Sequence, residues 1–343
     1  MLFRAFTVLS AALSMSFPLA ADGTQAEKAG AGIDMIDVHV HPVRNARKSP
    51  DAAAILRTMD AFRVRTSILL PPPFPPGHRT TYGRHELESI AREHPDRFAF
   101  VAGGESLNPM IHRTAPGDVT PEIVAEFRRE AEAIARSGAA GFGELTAEHF
   151  SFGQGNHPYE STRPDHPLLF VLADIAALHG MPIDLHMEAV PRDMPFPEWL
   201  AGGRNPETLK ENISGFERLL AHNRNARIVW AHAGWDLTGE RTVPLMRALL
   251  ARHSNLYMSV KLDGRSVQRT SALDPAGAIR PGWLELLREF PDRFMVGSDQ
   301  FHDQGTERLA RARTFADGLP ADLAPRVARD NALRVYRLTK PAN

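Results

Sequence analysis

The 343-residue chain contains no cysteine. This absence excludes disulfide scaffolds, thiol nucleophiles, iron–sulfur clusters and zinc sites built on cysteine. Any metal ion would therefore be bound by histidine and carboxylate side chains, and the sequence holds 15 histidines.

An excess of charge of one sign is missing as well. Lysine and arginine together number 40 and aspartate and glutamate 41, which leaves a net charge of -1. That balance gives no support to a nucleic-acid partner or a membrane-surface role. The hydrophobic fraction of 43% is ample for a buried core and excludes wholesale disorder. We therefore expect a globular protein with neither kind of partner.

Long apolar runs are also lacking, apart from the amino terminus. There Arg4 precedes the mostly apolar Ala5–Leu19, and residues 1–21 end on small side chains. This pattern predicts a secretory signal peptide, too short for a membrane span, with a disordered or membrane-anchoring terminus as the alternative. Residues 22–32 are small and polar and are interpreted as a linker. We expect a periplasmic or secreted protein without a membrane span in the mature chain; a homo-oligomer is left open.

Eight short apolar runs recur along the rest of the chain, as expected of strands buried on both faces. They are Ile33–His41, Thr66–Leu70, Phe98–Ala102, Gly141–Leu145, Pro182–His186, Ile228–His232, Leu256–Val260 and Phe294–Gly297. Amphipathic helical patterns lie between them, such as Pro121–Ser137 with Thr120 as its cap. Eight strand–helix units in about 300 residues predict an α/β fold, a distorted (β/α)8 TIM barrel over residues 33–338.

The lengths of the connections support a barrel. Strand-to-helix connections are long, for example 146–166 and 187–205, and barrel active sites are built from loops of that type. The competing architecture, an open doubly wound sheet, would want a glycine-rich phosphate turn after an early strand, which the sequence lacks. Ser49-Pro50 and Asn205-Pro206 predict two further helix starts.

The strongest local signal is the pair of histidines that closes the first strand. His39 and His41 stand at alternate positions, so their side chains share one face of the strand and can bind one cation. The pair alone is weak evidence, because such spacing also arises by chance. Its position at the end of the first apolar run strengthens the interpretation as a metal site at the barrel mouth.

Three further residues end other predicted strands. His186 ends the fifth run, His232 ends the sixth, and Asp299 follows the eighth. The carboxyl ends of barrel strands meet at one mouth, so these side chains are expected near the histidine pair. Several neutral histidines with one carboxylate suit zinc or another divalent transition metal.

Glu144 ends the fourth predicted strand and has three interpretations. It could bind the metal, bridge two metals or contact the substrate. The alternative is an outer partner that orients a ligating histidine.

Taken in order, these segments resemble the amidohydrolase superfamily, in its amidohydrolase-related (amidohydrolase 2) branch. The resemblance covers about residues 33–338 and rests on segments in the following order: Ile36–Pro42, Gly141–Leu145, Leu185-His186, Trp230–Gly234, Gly297–Asp299 and Asn331–Tyr336.

The resemblance implies a metal-dependent enzyme on a distorted barrel. Its metal ligands would be His39, His41, His186 and Asp299. His232 would be a catalytic acid or base, or a ligand of a second metal. The expected cofactor is a divalent metal ion such as zinc, with one ion or two.

Position 144 departs from the pattern of many relatives, which carry a carboxylated lysine at the end of the fourth strand. Glu144 argues against that lysine-bridged subtype. A mononuclear site and a glutamate-bridged binuclear site both stay open.

Three functions are compatible with these residues. The first is hydrolysis of an ester, lactone or amide, with Asp299 as general base and His232 able to polarise the carbonyl. The second is decarboxylation of an aromatic or unsaturated acid on the same scaffold. The third is a non-catalytic exported protein that binds a metal or ligand. Export favours hydrolysis, and the presence of both Asp299 and His232 argues against simple metal storage.

We expect the substrate to be a small molecule, and residues of the long strand-to-helix loops to contact it. Four cationic residues there could hold a carboxylate: Arg204, Arg241, Lys261 and Arg265. Three aromatic residues could wall an apolar pocket or pack in the core: Phe196, Trp199 and Trp235.

Overall fold

A computed structural model of the protein describes residues 32–44, 48–77, 82–152, 158–200 and 204–338. The predicted signal peptide, residues 1–21, and nearly all of the predicted linker lie outside the described residues. Among the helices of the described part, none is both long enough and apolar enough to cross a membrane.

Each of the eight apolar runs forms a strand of one parallel sheet. The strands are β1 Met35–His41, β2 Val64–Leu69, β3 Phe98–Gly103, β4 Gly141–His149, β5 Pro182–Met187, β6 Arg227–Ala233, β7 Leu256–Val260 and β8 Phe294–Val296. Each pairs in parallel with the next, and β8 returns to β1 where Val296 lies beside Asp37. The sheet is therefore closed, which confirms the predicted (β/α)8 barrel over the open alternative.

Helices follow the strands and cover the outside of the barrel. Their bounds are α1 Ala52–Ala61, α2 Arg84–Glu93, α3 Leu107–Arg113, α4 Pro121–Arg136, α5 Pro167–His179, α6 Ile213–His222, α7 Val243–Arg252, α8 Pro281–Glu289, α9 Glu307–Gly318 and α10 Asn331–Val335. A short π-helical segment, Arg326–Asp330, precedes α10.

The helix α4 illustrates why these residues become helical. Thr120 caps it by accepting a hydrogen bond from the backbone N–H of Ile123, and Pro121 occupies the first turn without needing a hydrogen-bond partner. Phe127, Ala131 and Ile134 then form the buried stripe that packs on the barrel. The predicted helix over 121–137 is confirmed to within one residue.

The predicted helix start at Asn205-Pro206 is wrong. Helix α6 begins only at Ile213, and a two-residue strand, Thr208–Leu209, comes before it. Asn205 instead ties its loop to Ser151, whose backbone N–H donates to Asn205 Oδ1 at 2.8 Å. Near the first strand, helix α1 begins two residues after Ser49-Pro50, with Asp51 as its cap.

The barrel is filled in two layers. Below the mouth, strand residues such as Val38, Val101 and Met295 form an apolar cluster, which Val335 and Tyr336 of the last helical segment join. Above it lies a layer of buried polar side chains at the carboxyl ends of the strands. The apolar layer closes the lower end, so the polar layer faces only the loops at the mouth.

Gly297, directly after β8, allows the strand to pass close to the polar layer. A Cβ atom there would lie 2.9 Å from Ser259 Cβ and 3.1 Å from His39 Cβ. We predict that Gly297→Ala destabilises the fold by about 1–3 kcal/mol through overpacking and displaces His39. Thermal unfolding and metal content measure both effects.

Gly282 provides the matched control, since it lies in α8 and a Cβ atom added there would meet no other atom within 4 Å. Gly282→Ala should leave metal content unchanged and stability unchanged or slightly raised. A Gly297→Ala protein as stable and as metal-loaded as Gly282→Ala would contradict this effect of close packing.

Candidate metal centre

The six residues singled out in the sequence come together in the polar layer. His39 and His41 lie in β1, and Asp299 follows β8; the others belong to β4, β5 and β6: Glu144, His186 and His232. All six are buried. Because consecutive strands of a closed barrel end at one mouth, residues from 39 to 299 meet in one place.

Glu144 lies at the centre of the histidines. Its Oε2 atom is 3.5 Å from His39 Nε2 and 3.3 Å from His41 Nε2. Its Oε1 atom accepts hydrogen bonds from His186 Nδ1 at 2.9 Å and His232 Nε2 at 3.1 Å. The carboxylate thus lies between two pairs of imidazole rings, a placement that the strand pattern alone did not give.

Asp299 divides its two oxygens between different partners. Oδ1 lies 3.2 Å from His41 Nε2 and 3.9 Å from His39 Nε2. Oδ2 lies 2.5 Å from Lys261 Nζ and 2.7 Å from an Arg308 guanidinium nitrogen. One oxygen therefore faces the histidine pair, and the other is held by two cations.

Two overlapping groups have ligand atoms close enough to share a metal ion. They are His39 with His41 and Asp299, and His39 with Glu144 and His232, each with all ligand atoms within 4.8 Å of one another. His186 belongs to neither group; its Nδ1 is engaged by Glu144, and its Nε2 lies 3.5 Å from Glu188 Oε1.

Outer partners set which nitrogen of each β1 histidine faces the centre. His41 Nδ1 lies 3.0 Å from the carbonyl oxygen of Leu70, which can only accept, so the proton is on Nδ1. His39 Nδ1 lies 3.3 and 3.4 Å from the two carboxylate oxygens of the buried Asp184. In the neutral rings, both Nε2 lone pairs therefore point at Glu144 and Asp299. Metal-binding histidines are typically oriented in this way.

Electron-rich atoms facing one another need a positive charge between them. His39 Nε2 has no hydrogen-bond partner among the described residues. Burial disfavours the charged form of its ring, yet Asp184 and Glu144 outweigh it and raise the pKa of His39 well above its usual value. A proton can satisfy one such pair, whereas a divalent cation satisfies the whole donor set. The residues present therefore fit a metal ion.

His232 and Asp299 share an unusual backbone conformation. Their φ angles are +70° and +55°, in the left-handed region that non-glycine residues seldom adopt. Such strain costs about 1–3 kcal/mol per residue and clusters at functional sites. The chain turns sharply at the ends of β6 and β8, and this brings both side chains into the centre.

Two of the predicted loop cations are buried, and neither is a free surface charge. Arg241 donates to the carbonyl oxygens of Ala231 and Trp230, and its guanidinium lies 3.8 Å from the Trp230 ring centroid. It braces the end of β6 and is not placed to hold a substrate. Lys261 belongs to the centre itself, through Asp299. The other two, Arg204 and Arg265, are exposed.

The predicted aromatic residues divide between the centre and a neighbouring groove. Trp235 packs against His186 and His232, with ring centroids 5.9 and 5.7 Å apart. Phe196 and Trp199 line a groove of about 630 Å³ together with residues from the loops after β5, β6 and β7, including Thr238, Val267 and Arg269. The groove therefore opens on the same face as the polar layer.

Sequence reasoning missed further acidic residues near the centre. Glu148, in β4, accepts hydrogen bonds from the hydroxyls of Tyr159 and Ser161, both at 2.7 Å, and burial raises its pKa to about 7. Burial likewise raises the pKa of Glu160 to about 8. Asp184 was also missed. It lies two residues before His186 in an apolar run, and this position could have indicated a residue on the same face of the strand as His186.

Asp184 makes a testable contribution through His39. Outer-shell partners of this kind typically change metal affinity about 10–100-fold, so we predict a loss of that size for Asp184→Asn. Competition with a chelator measures it. The exposed Asp174, whose carboxylate lies 3.2 Å from His222 Nε2, gives the control Asp174→Asn. Equal affinities in the two variants would remove Asp184 from any supporting role.

Comparison with known proteins identifies the family of this chain. The Amidohydro_2 family model, described as amidohydrolase, matches residues 36–338. The chain belongs to the amidohydrolase family. It is accordingly an enzyme of the kind that includes metal-dependent hydrolases and decarboxylases, and the predicted superfamily branch is confirmed.

Solved structures show the same barrel in distant amidohydrolase-like chains. An uncharacterized TIM-barrel protein from Bordetella bronchiseptica is 15% identical, with a TM-score of 0.55 over 89% of this chain and 99% of that chain. A 2,6-dihydroxybenzoate decarboxylase is 16% identical, with a TM-score of 0.51 over 89% of this chain and 98% of that chain. At such identities the likeness shows the fold alone. No curated protein matches this amidohydrolase.

Proposed function

We propose that this amidohydrolase is an exported metal-dependent hydrolase that cleaves an ester, lactone or amide bond with water. The observation that carries the proposal is the convergence of His39 Nε2 and His41 Nε2 on carboxylate oxygens of Glu144 and Asp299, at 3.2 to 3.9 Å. Family membership supplies metal dependence, and the proposal adds the residues and the reaction.

His39, His41 and Asp299 would hold the metal ion, with Glu144 beside them as a ligand of the same or a second ion. The mixture of imidazole and carboxylate donors suits zinc among divalent metals. When bound, such an ion would lower the pKa of water toward about 7 and polarise a carbonyl group. Because Glu144 engages Nδ1 of His186, this residue could bind a metal ion only through Nε2, which lies 3.5 Å from Glu188 Oε1.

Asp299 is proposed as the general base. Burial alone would raise its pKa, but the charges of Lys261 and Arg308 outweigh burial and hold the pKa of Asp299 well below its usual value. The carboxylate is therefore ionised. It can hold the metal ion through Oδ1, the oxygen that the two cations leave free, and the same carboxylate group can accept the proton of the attacking water.

His232 is proposed to move protons near the leaving group. Its Nε2–H donates to Glu144, so in the neutral ring Nδ1 carries a lone pair, and Nδ1 has no partner among the described residues. Burial, followed by the charge of Lys261, lowers the pKa of His232 well below its usual value. The ring thus starts neutral and can accept a proton before returning it.

Hydrolysis is proposed over decarboxylation because of export, which is itself proposed from residues 1–21. Decarboxylation of aromatic intermediates is expected inside cells. The similarity to the decarboxylase keeps the second reaction as the alternative.

Metal removal tests the proposal most simply. We expect dialysis against a chelator to abolish turnover on a panel of esters, lactones and amides, and added zinc to restore it. Carbon dioxide released from hydroxybenzoates, with no hydrolysis of the panel, would favour the lyase. Tight zinc binding with no turnover on either panel would favour the non-catalytic binder and overturn the proposal.

A further inference from the structure

Lys261 is a buried cation for which the proposed function gives an electrostatic effect on Asp299 and His232 but no structural role. It directly follows β7, and its side chain is only 3% exposed. Its backbone N–H donates to the carbonyl oxygen of Ala233 at 2.9 Å, which fixes the chain at the mouth. A buried ammonium group is costly unless it is paired, so its partners indicate what it is for.

Two groups surround the Lys261 ammonium. Asp299 Oδ2 lies 2.5 Å from Nζ, and the ring centroid of Trp235 lies 3.6 Å away. The first contact is a short charge-assisted pair and the second a cation–π contact. Trp235 also packs against His186 and His232, so the lysine is clamped between the general base and the wall of the centre.

The second cation at Asp299 is less committed to it. Arg308 donates to Asp299 Oδ2 and also to the Asp299 carbonyl oxygen, and it forms an ion pair with Asp263 at 3.0 Å. Its side chain is 28% exposed. Lys261 is therefore the fully buried contact of the carboxylate, while Arg308 divides its guanidinium among the carboxylate, the Asp299 carbonyl and Asp263.

We propose that Lys261 is a positioning residue that turns Asp299 so that Oδ1 faces the His39–His41 pair. The inference rests on the proposed function, in which Asp299 binds the metal ion. Without the ammonium group, the contact that remains at Oδ2 among the described residues is Arg308, which is partly exposed and shared with Asp263. The carboxylate can then rotate about its Cα–Cβ bond, and the ligand set loses its arrangement before any ion arrives.

Zinc affinity, measured by competition with a chromogenic chelator, tests this role. We expect Lys261→Met to weaken zinc binding about 10–100-fold, the usual effect of losing an outer partner. Methionine fills the space and can contact Trp235 through its sulfur, so folding should survive; circular dichroism and thermal unfolding of the metal-free protein check this. Lys261→Gln serves if Lys261→Met does not fold.

The matched control is Lys210→Met. Lys210 is likewise paired with a carboxylate, because its Nζ lies 2.7 Å from Asp193 Oδ2, but this pair is exposed. Exposed pairs contribute little, so zinc affinity should stay at the wild-type value. The double variant Lys261→Met/Asp299→Asn completes a double-mutant cycle. If Lys261 acts through Asp299, the zinc affinity of the double variant equals that of Asp299→Asn.

Several outcomes would overturn the role. Wild-type zinc affinity in Lys261→Met would do so, and so would additive losses in the double variant, since Lys261 would then act elsewhere. A crystal structure of metal-free Lys261→Met gives a readout that needs no metal: Asp299 should leave its wild-type orientation, and an unchanged Asp299 refutes the proposal. Wild-type protein that binds no zinc would instead refute the proposed function, while the metal-free crystal structure still decides the role of Lys261.

Discussion

Replacing His39 or His41 with alanine is expected to empty the metal site and reduce turnover to background. Each ring offers an Nε2 lone pair to the centre, and its other nitrogen is held by Asp184 or by the Leu70 carbonyl. Losing a ligand should cost more than the roughly 100-fold upper range for an outer partner. Elemental analysis of the purified variants measures the loss.

The control is another histidine outside the centre. His85 is exposed in α2, so His85→Ala should retain full metal content and turnover. Metal content equal to that of His85→Ala in both the His39 and His41 variants would refute the centre. Metal-free protein is the proper reference for their stability, because the loss of bound metal itself lowers the unfolding temperature.

Replacing Asp299 with asparagine is expected to preserve the fold and to lower turnover by about 10²–10⁴-fold, the range for loss of a general base. The amide oxygen should turn toward the two cations, Lys261 and Arg308. The amide NH2 group then faces His41, where it can neither bind a metal ion nor accept a proton.

Turnover at saturating zinc separates the two roles of Asp299. If it were only a ligand, excess zinc would restore activity to Asp299→Asn. We expect occupancy to recover while turnover stays low. Unchanged turnover on the best substrate, at any zinc concentration, would remove Asp299 from the role of base.

The barrel was predictable because its signals are local. Runs such as Leu256–Val260 are short, apolar and bounded by polar segments, and helix α4 carries its own cap and its own buried stripe. The parallel order of the strands then follows from the alternation of strands and helices. The gathering of His39, His186, His232 and Asp299 followed from the strand ends.

The charge relations inside the centre were not predictable from the sequence. Lys261 could be identified only as a loop cation, because its pairing with Asp299 joins the ends of the neighbouring strands β7 and β8, which are far apart in the sequence. Arg241 carries the same kind of sequence signal, yet it braces backbone carbonyls of β6. His232 and Asp299 have positive φ angles although neither is a glycine, so the sequence does not indicate these left-handed turns. In each case long-range packing decides what the side chain meets.

Anomalous X-ray diffraction at the zinc absorption edge, from crystals of the zinc-loaded protein, tests the metal centre most directly. We predict an anomalous peak within bonding distance of His39 Nε2, His41 Nε2 and Asp299 Oδ1, with any second peak shared by Glu144. Full zinc loading with no peak among these atoms, or with the peak elsewhere on the barrel, would contradict this centre.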